Sequence, residues 1–371
     1  MSSWREELLS VLKESGEQYV KGEELAERFG FSRAAVWKKI SILRSEGYPI
    51  EATTNRGYRL TAKDREWEQQ IRDALAAAEL DGIFDVHVTD TTPSTNLWAR
   101  EAGARAAGVR EAGAGASEAG ARGISASGIS ARETGARETG ASEAGASGEK
   151  EIGVYAALRQ TAGRGRRGRT WISDTDEGLW FSFLLRPQVE PRSASSLTLL
   201  FGLCIMDAIQ RICNVPVGIK WPNDIISLQN GKKICGILSE TSMEDNRISY
   251  AVVGCGINVS QKSFPAEIEP VATSLLMEGV QIEKTVLLTA VLRESAARYP
   301  VYIKDPAAFI PEYRAHCATL GRMVRIESGT HQEGTAIDIT GAGDLLVLLT
   351  DGTTITCTSG EVSVRGMLGY M

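Results

Sequence analysis

The sequence has few of the residues on which nucleophilic and metal-dependent active sites are commonly built. It contains three histidines, His87, His316 and His331, in 371 residues, and none of them lies in a recognisable motif. Its six cysteines form no Cys-x-x-Cys pair and have no regular spacing. These absences argue against a zinc site, a disulfide framework and a Ser-His-Asp or Cys-His catalytic set, and they predict reduced thiols.

Long apolar runs are absent as well. No stretch approaches the ~18 to 20 apolar residues of a membrane span, and the opening MSSWREELLSVLKESG is charged and amphipathic, unlike a secretory signal. We therefore expect a cytoplasmic protein. With 371 residues and 43% hydrophobic content, the chain is long enough for two or three domains. Its formal net charge of -6 argues against indiscriminate nucleic-acid binding but allows a localised basic surface.

The segment from 99 to 150 differs in composition from the rest of the chain. It consists of five-residue units such as AREAG, ARGIS and ARETG. A period of five matches neither a helix nor a strand, and large apolar side chains are rare. Because such a segment buries too little to offset its ordering entropy, we predict a disordered, low-complexity insertion. Expansion of a surface loop is favoured over a functional repeat, since long loops cost little closure entropy.

The first 62 residues predict three helices and a hairpin. The third helix, SRAAVWKKISILRSEG, is capped by Ser32, and its Val36, Ile40 and Leu43 share one face. The following YPIEATTNRGYRL has strand, turn and strand character. The basic outer face of the third helix favours DNA binding over the alternative of a protein-interaction domain. The candidate DNA-binding residues are Ser32, Arg33, Ala34, Trp37 and Lys38.

The stretch GRGRRGRTW, at 163–171, concentrates arginines in an acidic chain. It holds Arg164, Arg166, Arg167 and Arg169, separated by glycines. A solvated basic run needs no glycine, and a helix would not tolerate so many. The pattern instead predicts a flexible loop that closes its backbone and guanidinium groups around an anion.

Other motifs surround this loop in the sequence. TTPSTNLWARE places Ser-Thr-Asn at the start of a helix, and taken alone this is ordinary capping chemistry. VGIKWPNDI ends a strand in a bend that its proline fixes. The runs at 232–241 and 248–260 predict paired antiparallel strands. Gly236, Gly254 and Gly256 interrupt these strands, as bulges or sites of close ligand approach do. From 320 onward, short strands between Gly-rich turns predict a small β-barrel.

Together these motifs resemble the biotin protein ligases, and within them the bifunctional ligases that also repress biotin-synthesis genes. The match runs in the family's order through STN, RQTAGRGRRGRTW, KWPND, KKICGILSE and GCGINVS, and covers essentially everything outside the insertion. The resemblance implies an α+β chain with a winged helix-turn-helix domain at 1–62 and a linker helix at 63–82. A catalytic domain with a class II aminoacyl-tRNA synthetase-like fold would follow at 83–319, and an SH3-like β-barrel at 320–371.

The resemblance also implies the roles of individual residues. Lys233, Arg164 and Arg166 would be catalytic, and Asp224 is a candidate magnesium ligand. Asp224 could also act as a base for the acceptor lysine, and capping of the turn after Pro222 is an equal alternative for it. Biotin would contact Ser94, Thr95, Asn96, Gln160, Gly163, Arg164, Gly165, Arg166, Lys233, Gly236, Leu238, Gly254 and Gly256. ATP and the adenylate would contact Arg164, Arg166, Arg167, Arg169, Trp171, Asn223, Lys233 and Asn258.

The implied reaction suits this residue content. In the family, biotin's carboxylate attacks the α-phosphate of ATP, with Mg²⁺, and a lysine of the biotin carboxyl carrier domain of acetyl-CoA carboxylase then accepts biotin. Because both nucleophiles belong to substrates, the enzyme needs positive charge rather than a catalytic triad. Biotinyl-5′-AMP would also act as a corepressor that promotes a homodimer on operator DNA.

Other functions fit the motifs less well. GRGRRG matches the dinucleotide pattern GxGxxG but leads into an aromatic, strand-like stretch where that pattern opens a helix. An RNA-binding or localisation run would leave KWPND, GILSE and GCGIN unexplained. A catalytically impaired biotin-sensing repressor and a lipoate ligase stay open as alternatives. The intact Lys233 argues against the former, and the winged helix argues against the latter.

Overall fold

The computed structural model describes residues 4–16, 18–45, 48, 50–53, 56–60, 63–108, 152–328, 330–358 and 364–366. The predicted disorder of 109–150 therefore lies outside the described residues.

The N-terminal residues form the predicted winged helix-turn-helix. Ser32 Oγ accepts a hydrogen bond from the Ala35 N–H at 3.2 Å, which is the expected cap of the third helix. Val36, Ile40 and Leu43 are buried in a small core of their own. The elements are α1 (Trp4–Glu14), α2 (Gly22–Phe29), α3 (Arg33–Ser45), β1 (Ile50–Thr53) and β2 (Gly57–Leu60), with β1 and β2 antiparallel.

A seven-stranded mixed sheet forms the centre of the molecule. Its strands are β3 (Phe84–Thr92), β4 (Ile152–Gln160), β5 (Gly178–Leu185), β6 (Val217–Lys220), β7 (Asp224–Ser227), β8 (Lys233–Glu244) and β9 (Arg247–Asn258), in the order β3-β4-β5-β9-β8-β7-β6. β3 and β4 pair in parallel, and the remaining neighbours pair antiparallel. The predicted pairing of β8 with β9 is confirmed.

Helices pack against this sheet. They are α4 (Lys63–Ala77), α5 (Thr95–Ala106), α6 (Leu197–Cys213), α7 (Lys284–Lys304) and α8 (Ile310–His316). α4 lies within the segment predicted as a linker, yet its Trp67, Ile71 and Leu75 are buried in the same hydrophobic core as the sheet. The Trp67 indole N–H also donates to Thr285 Oγ1 at 3.1 Å. α4 is therefore a packed part of the central core.

The beginning of the insertion was predicted wrongly. Residues 99–106, assigned to the disordered repeat, continue α5 without a break. Ala99, Gly103 and Ala104 are buried, and a Cβ added at Gly103 would lie 2.9 Å from atoms of Leu184 and Tyr250. The helix buries small residues by approaching the sheet closely, whereas the sequence argument counted only large apolar side chains as capable of packing.

The C-terminal residues form the predicted small β module. The strands β10 (Met323–Ser328), β11 (Thr330–Ile339), β12 (Leu345–Leu349), β13 (Thr354–Cys357) and β14 (Val364–Gly366) make an antiparallel sheet in the order β13-β12-β11-β10-β14. This module is joined to the KWPND turn. The Trp221 backbone N–H donates to Thr319 Oγ1 at 2.9 Å and its indole N–H to the Gly343 carbonyl at 3.0 Å.

In the described part of the chain, one helical segment, Pro191–Cys213, is long and apolar enough to span a membrane. Within the fold, 78% of its most apolar window is buried, which is typical of a core helix. The six cysteines are free and buried, as the absence of a disulfide pattern predicts. Burial raises the pKa of the Cys213 thiol to about 11 and that of Cys204 to about 12, so both are protonated at neutral pH.

Candidate active site

A cleft opens between the N-terminus of α5, the arginine loop and strands β8 and β9. It brings together every predicted biotin-binding residue except Gly163, together with Trp171 and Asn223 from the predicted ATP set. Three members of the predicted ATP set are not among the lining residues that the structure describes: Arg167, Arg169 and Asn258. The lining residues are Ser94, Thr95, Asn96, Gln160, Arg164, Gly165, Arg166, Trp171, Asn223, Lys233, Gly236, Ile237, Leu238, Gly254, Cys255 and Gly256.

A network of polar side chains lines the cleft at the start of α5. Gln160 Oε1 accepts hydrogen bonds from the Thr95 N–H at 2.8 Å and the Thr95 hydroxyl at 3.2 Å. The Gln160 amide donates in turn to Ser173 Oγ at 3.1 Å. Ser94 occupies the N-cap position without making a side-chain cap, so the capping interpretation of this residue is wrong. Gln160, at the end of β4, supplies the cap instead.

The orientation of Asn96 in this network is fixed by three neighbours. Its Oδ1 lies 2.7 Å from Ser182 Oγ, while its Nδ2 donates to the Leu238 carbonyl at 3.1 Å and to Glu240 Oε2 at 2.8 Å. Ser182 Oγ also lies 2.8 Å from Thr95 Oγ1. Hydrogen bonds within the protein therefore hold the predicted head-group residues in place, and such preorganisation lowers the entropic cost of binding.

Three glycines in β8 and β9 leave room for side chains to lie against these strands, which form the floor of the cleft. Gly236 pairs with Gly256, and Gly254 pairs with Leu238, across β8 and β9. A Cβ at Gly254 would lie 1.8 Å from Asn96 Oδ1, and one at Gly256 would lie 2.5 Å from Trp171 Nε1. The glycines therefore leave space that side chains of the protein fill, and the predicted close approach of a ligand to them stays a prediction.

The cleft also collects positive charge from two segments, the arginine loop and the start of β8. Lys233 Nζ lies 2.6 Å from Asp224 Oδ1 and 5.0 Å from the centre of a Trp171 ring. Arg166 donates to Asn223 Oδ1 at 2.9 Å, and Arg164 donates to Glu240 Oε1 at 2.6 Å. Three cations thus line the cleft, while the two carboxylates that pair with them, Asp224 and Glu240, are not among its lining residues. Such a site favours an anion that brings its own negative charge.

Burial is the largest influence on the pKa of Arg166. It lowers that pKa, while the nearby Asp224 carboxylate opposes the change. An arginine stays protonated at physiological pH, so the guanidinium remains a charged donor in a partly dehydrated place. There a hydrogen bond to phosphate or carboxylate is stronger than it would be in water.

The arginine loop itself is folded as a tight hairpin. The Gly165 N–H donates to the Arg169 carbonyl at 2.7 Å, and the 3-10 turn Arg166–Gly168 forms its tip, where Arg167 has a φ of 57°. Arg167 and Arg169 are exposed. A Cβ at the buried Gly163 would lie 2.2 Å from Ser173 Oγ. Gly163 therefore permits the packing that supports the loop.

Asn258 and Asp224 lie beside the cleft and are not among its lining residues. The Asn258 amide donates to the Thr273 carbonyl at 3.0 Å, and the Thr273 N–H donates to the Lys233 carbonyl at 2.9 Å, so Asn258 supports the strand that carries Lys233. No group of three or more His, Cys, Asp and Glu side chains able to hold a metal occurs in the described residues. Asp224 is a single carboxylate beside Lys233. This fits a magnesium ion bound mainly by nucleotide phosphates.

The sequence argument gave no role to Ser173, Ser182 or Glu240. Ser182 had a detectable signal, because it is the polar residue within the buried run GLWFSFLL of β5, and a buried hydroxyl requires a partner. Glu240 closes the motif KKICGILSE. The pairing of Glu240 with Arg164, 76 positions away, has no local sequence signal.

Three family models match the chain. Residues 142–258 match the biotin/lipoate A/B protein ligase family, residues 5–59 an HTH domain, and residues 319–365 the biotin protein ligase C-terminal domain. Together with the cleft, these matches define the class of protein as a biotin/lipoate-type ligase that carries an HTH domain.

Similar proteins of known name narrow this class. A bifunctional ligase/repressor BirA from Bacillus spizizenii is 31% identical over 358 residues, which is 95% of this chain and 96% of the relative. The Escherichia coli bifunctional ligase/repressor BirA is 26% identical and covers 96% of each chain. The chain therefore belongs to the family of bifunctional biotin ligase/repressors.

Solved structures agree with this placement. Biotin protein ligase from Aquifex aeolicus, in complex with biotin and ATP, is 25% identical with a TM-score of 0.55. The match covers 76% of this chain and 99% of that one.

Proposed function

We propose that this protein is an ATP-dependent biotin protein ligase that forms biotinyl-5′-AMP and transfers biotin to a lysine of a biotin carboxyl carrier domain of acetyl-CoA carboxylase. In its adenylate-bound form it represses biotin genes. The observation that carries the proposal is the cleft itself, which is lined both by the amides of Asn96 and Gln160 and by the cations Lys233, Arg164 and Arg166. This arrangement suits an elongated ligand with a polar, uncharged head and an anionic tail.

In the proposed first step, the head group occupies the network at the start of α5, and the carboxylate extends toward Lys233. Lys233 and the two arginines reduce the repulsion between the biotin carboxylate and the ATP phosphates. A carboxylate oxygen attacks the α-phosphorus, the bond to the bridging oxygen breaks, and pyrophosphate leaves. Positive charge fixed in place before the reaction stabilises the charge that develops on the phosphoryl oxygens.

In the second step, the amine of an acceptor lysine attacks the carbonyl carbon of the mixed anhydride, and AMP leaves. Magnesium would enter with ATP and neutralise phosphate charge. Asp224 is the proposed protein ligand for magnesium. If Asp224 exchanged its contact with Lys233 for a contact with the metal, Lys233 would be free to contact the substrates. The alternative role of Asp224, as a cap of the turn after Pro222, stays open.

The test is adenylate formation by the full chain from α-labelled ATP and magnesium, with biotin or lipoate and no acceptor. We expect labelled biotinyl-AMP with biotin and no labelled adenylate with lipoate. Product with lipoate alone would favour a lipoate ligase. No product with either acid, from protein that still binds biotin, would favour a sensor repressor.

The repressor function is proposed to depend on the outer face of α3. Ser32, Arg33, Ala34, Trp37 and Lys38 are all exposed, and Trp37 keeps 64% of its surface accessible. This face suits insertion into the major groove. Two adenylate-bound subunits would pair through the outer strands of their central sheets. The pair would present two α3 helices to a palindromic operator in the cytoplasm. β3 and β6 are the outer strands.

Replacement of Lys38 by alanine is expected to weaken duplex DNA binding by adenylate-bound protein. Because two subunits bind one operator, loss of one phosphate contact in each should lower the slope of log affinity against log salt by about 2. The measurement is fluorescence anisotropy of labelled duplex DNA at several salt concentrations, with biotin and ATP present. Lys304→Ala, which removes an exposed lysine from α7, is the charge-matched control. An unchanged slope in Lys38→Ala would contradict a phosphate contact.

A further inference from the structure

Glu278, in the segment between β9 and α7, accepts three hydrogen bonds on one carboxylate. Its Oε2 accepts from Ser227 Oγ at 2.7 Å, and its Oε1 accepts from Asn230 Nδ2 and Thr273 Oγ1, each at 2.7 Å. Ser227 ends β7, Asn230 belongs to the turn between β7 and β8, and Thr273 follows β9. Glu278 is not among the residues that line the cleft in the described part of the chain. A side chain outside the cleft therefore holds three separate parts of the chain together.

The first of these connections reaches Lys233, the first residue of β8. The Thr273 N–H donates to the Lys233 carbonyl at 2.9 Å, while the Lys233 N–H donates to the Val271 carbonyl at 2.8 Å. Both main-chain polar groups of Lys233 are therefore bonded to the segment 271–273. Because the Thr273 hydroxyl is bonded to Glu278, this segment is fixed in place against Lys233.

The other two connections reach the preceding residue, Lys232. The Lys232 N–H donates to Asn230 Oδ1 at 2.9 Å, and the Ser227 N–H donates to the Lys232 carbonyl at 2.9 Å. Asn230 thus uses one end of its amide for Glu278 and the other for the main chain of Lys232. Every residue that donates to the Glu278 carboxylate also bonds to the main chain at 232–233.

The Glu278 carboxyl group is ionised at neutral pH. Burial raises its pKa, but the hydrogen bonds from Thr273, Ser227 and Asn230 outweigh this effect, and the pKa lies below its ordinary value. An ionised carboxylate only accepts hydrogen bonds, which suits the three donors around it. Thr273 and Ser227 are buried, so without Glu278 their hydroxyl groups would lose their acceptor in a place that water does not reach.

We propose that Glu278 is a positioning residue for adenylate formation, which fixes the main chain of Lys233 and so holds its ammonium group in the cleft. The inference rests on the proposed function, in which Lys233 lies between the biotin carboxylate and the α-phosphate. The lysine side chain is a flexible four-carbon stem, so the main chain that carries it sets where the ammonium group can reach. Misplacement of a reacting group by about 1 Å can lower a rate about 10²-fold.

The test is the single-turnover rate of biotinyl-AMP formation by the full chain, from α-labelled ATP and magnesium, beside calorimetric titration with biotin. Glu278→Ala is expected to lower the rate by about ten- to hundredfold, because Lys233 is no longer held at one position. Biotin affinity should change little, since the head group is proposed to bind at the start of α5. An unchanged rate in the folded variant overturns the inference, and so does an equal loss of biotin affinity, which would indicate general damage to the fold.

A conservative variant separates position from charge. Glu278→Gln keeps the shape of the side chain and removes its charge. Its amide oxygen can accept from Asn230 and Thr273, and its amide N–H can donate to the Ser227 hydroxyl, which accepts as well as donates. This variant is therefore expected to retain most of the wild-type rate. A loss as large as that in Glu278→Ala would show that the charge is required, and it overturns the inference.

A double substitution shows whether Glu278 acts through Lys233. In a Lys233→Ala background, Glu278→Ala is expected to cause no further loss of rate, because no ammonium group remains to be positioned. A further loss in that background overturns the inference. The matched control is Glu283→Ala, which removes an exposed carboxylate that makes no side-chain cap of α7, and it is expected to retain the wild-type rate.

These outcomes are distinguishable from failure of the proposed function. A wild-type chain that makes no biotinyl-AMP contradicts the ligase proposal. A wild-type chain that makes it, with Glu278→Ala forming it at the same rate, contradicts only the role of Glu278.

Discussion

Replacement of Lys233 by alanine is expected to reduce the rate of biotinyl-AMP formation by about 10²- to 10³-fold, which is the usual effect of losing one fixed donor to a developing oxyanion. Lys233 is held in place by Asp224 at 2.6 Å and by the Trp171 ring at 5.0 Å, within the cleft. The substitution removes the positive charge that Lys233 places between the α-phosphate of ATP and the carboxylate of biotin. The measurement is single-turnover formation of labelled biotinyl-AMP from α-labelled ATP.

The neighbouring lysine provides a matched control. Lys232 Nζ donates to the Glu269 carbonyl at 2.8 Å, outside the cleft, so Lys232→Ala is expected to retain wild-type turnover. Titration of the Lys233→Ala protein with biotin reports whether the head-group pocket still binds its ligand. Undiminished adenylate formation by a folded Lys233→Ala protein would contradict the assignment of this lysine.

The sequence predicted those parts of the fold that local periodicity encodes. In α3, the spacing of Val36, Ile40 and Leu43 determined which face is buried. The pairing of β8 with β9 followed from two apolar runs around a polar turn. The positions of the candidate site residues came from the family resemblance, since spacing alone does not bring 94–96 beside 160 and 233.

Features built from long-range contacts were not predictable in this way. α5 continues to Ala106 because Gly103 and Ala104 fit closely against the sheet, and nothing in the repeat distinguishes these residues from those that follow. Gln160 caps α5 from strand β4, which a local argument from the Ser-Thr-Asn sequence does not predict. Glu240 gained its two partners from the fold. Each of these contacts depends on the packing of several elements, which single-sequence periodicity does not describe.

Replacement of Gly254 by alanine is expected to weaken biotin binding by about ten- to hundredfold. The added methyl group would lie 1.8 Å from Asn96 Oδ1 and 2.7 Å from its Cγ, so Asn96 must move. Ser182, Leu238 and Glu240 fix that side chain, and forced overpacking of such a site costs about 1 to 3 kcal/mol. Each 1.4 kcal/mol corresponds to about a tenfold change in affinity. Calorimetric titration with biotin measures the loss.

A second buried glycine distinguishes this local effect from general damage to the core. Gly202, in α6, has Ile237 Cδ1 as its nearest neighbour at 3.6 Å from an added Cβ, which is an ordinary contact distance. Alanine favours a helix interior over glycine, so Gly202→Ala should retain biotin affinity with an equal or higher Tm. If Gly254→Ala binds biotin as tightly as Gly202→Ala does, the position of Asn96 does not determine head-group affinity. A loss confined to Gly254→Ala, with its unfolding transition still cooperative, would place the head group against Asn96 and the glycine floor.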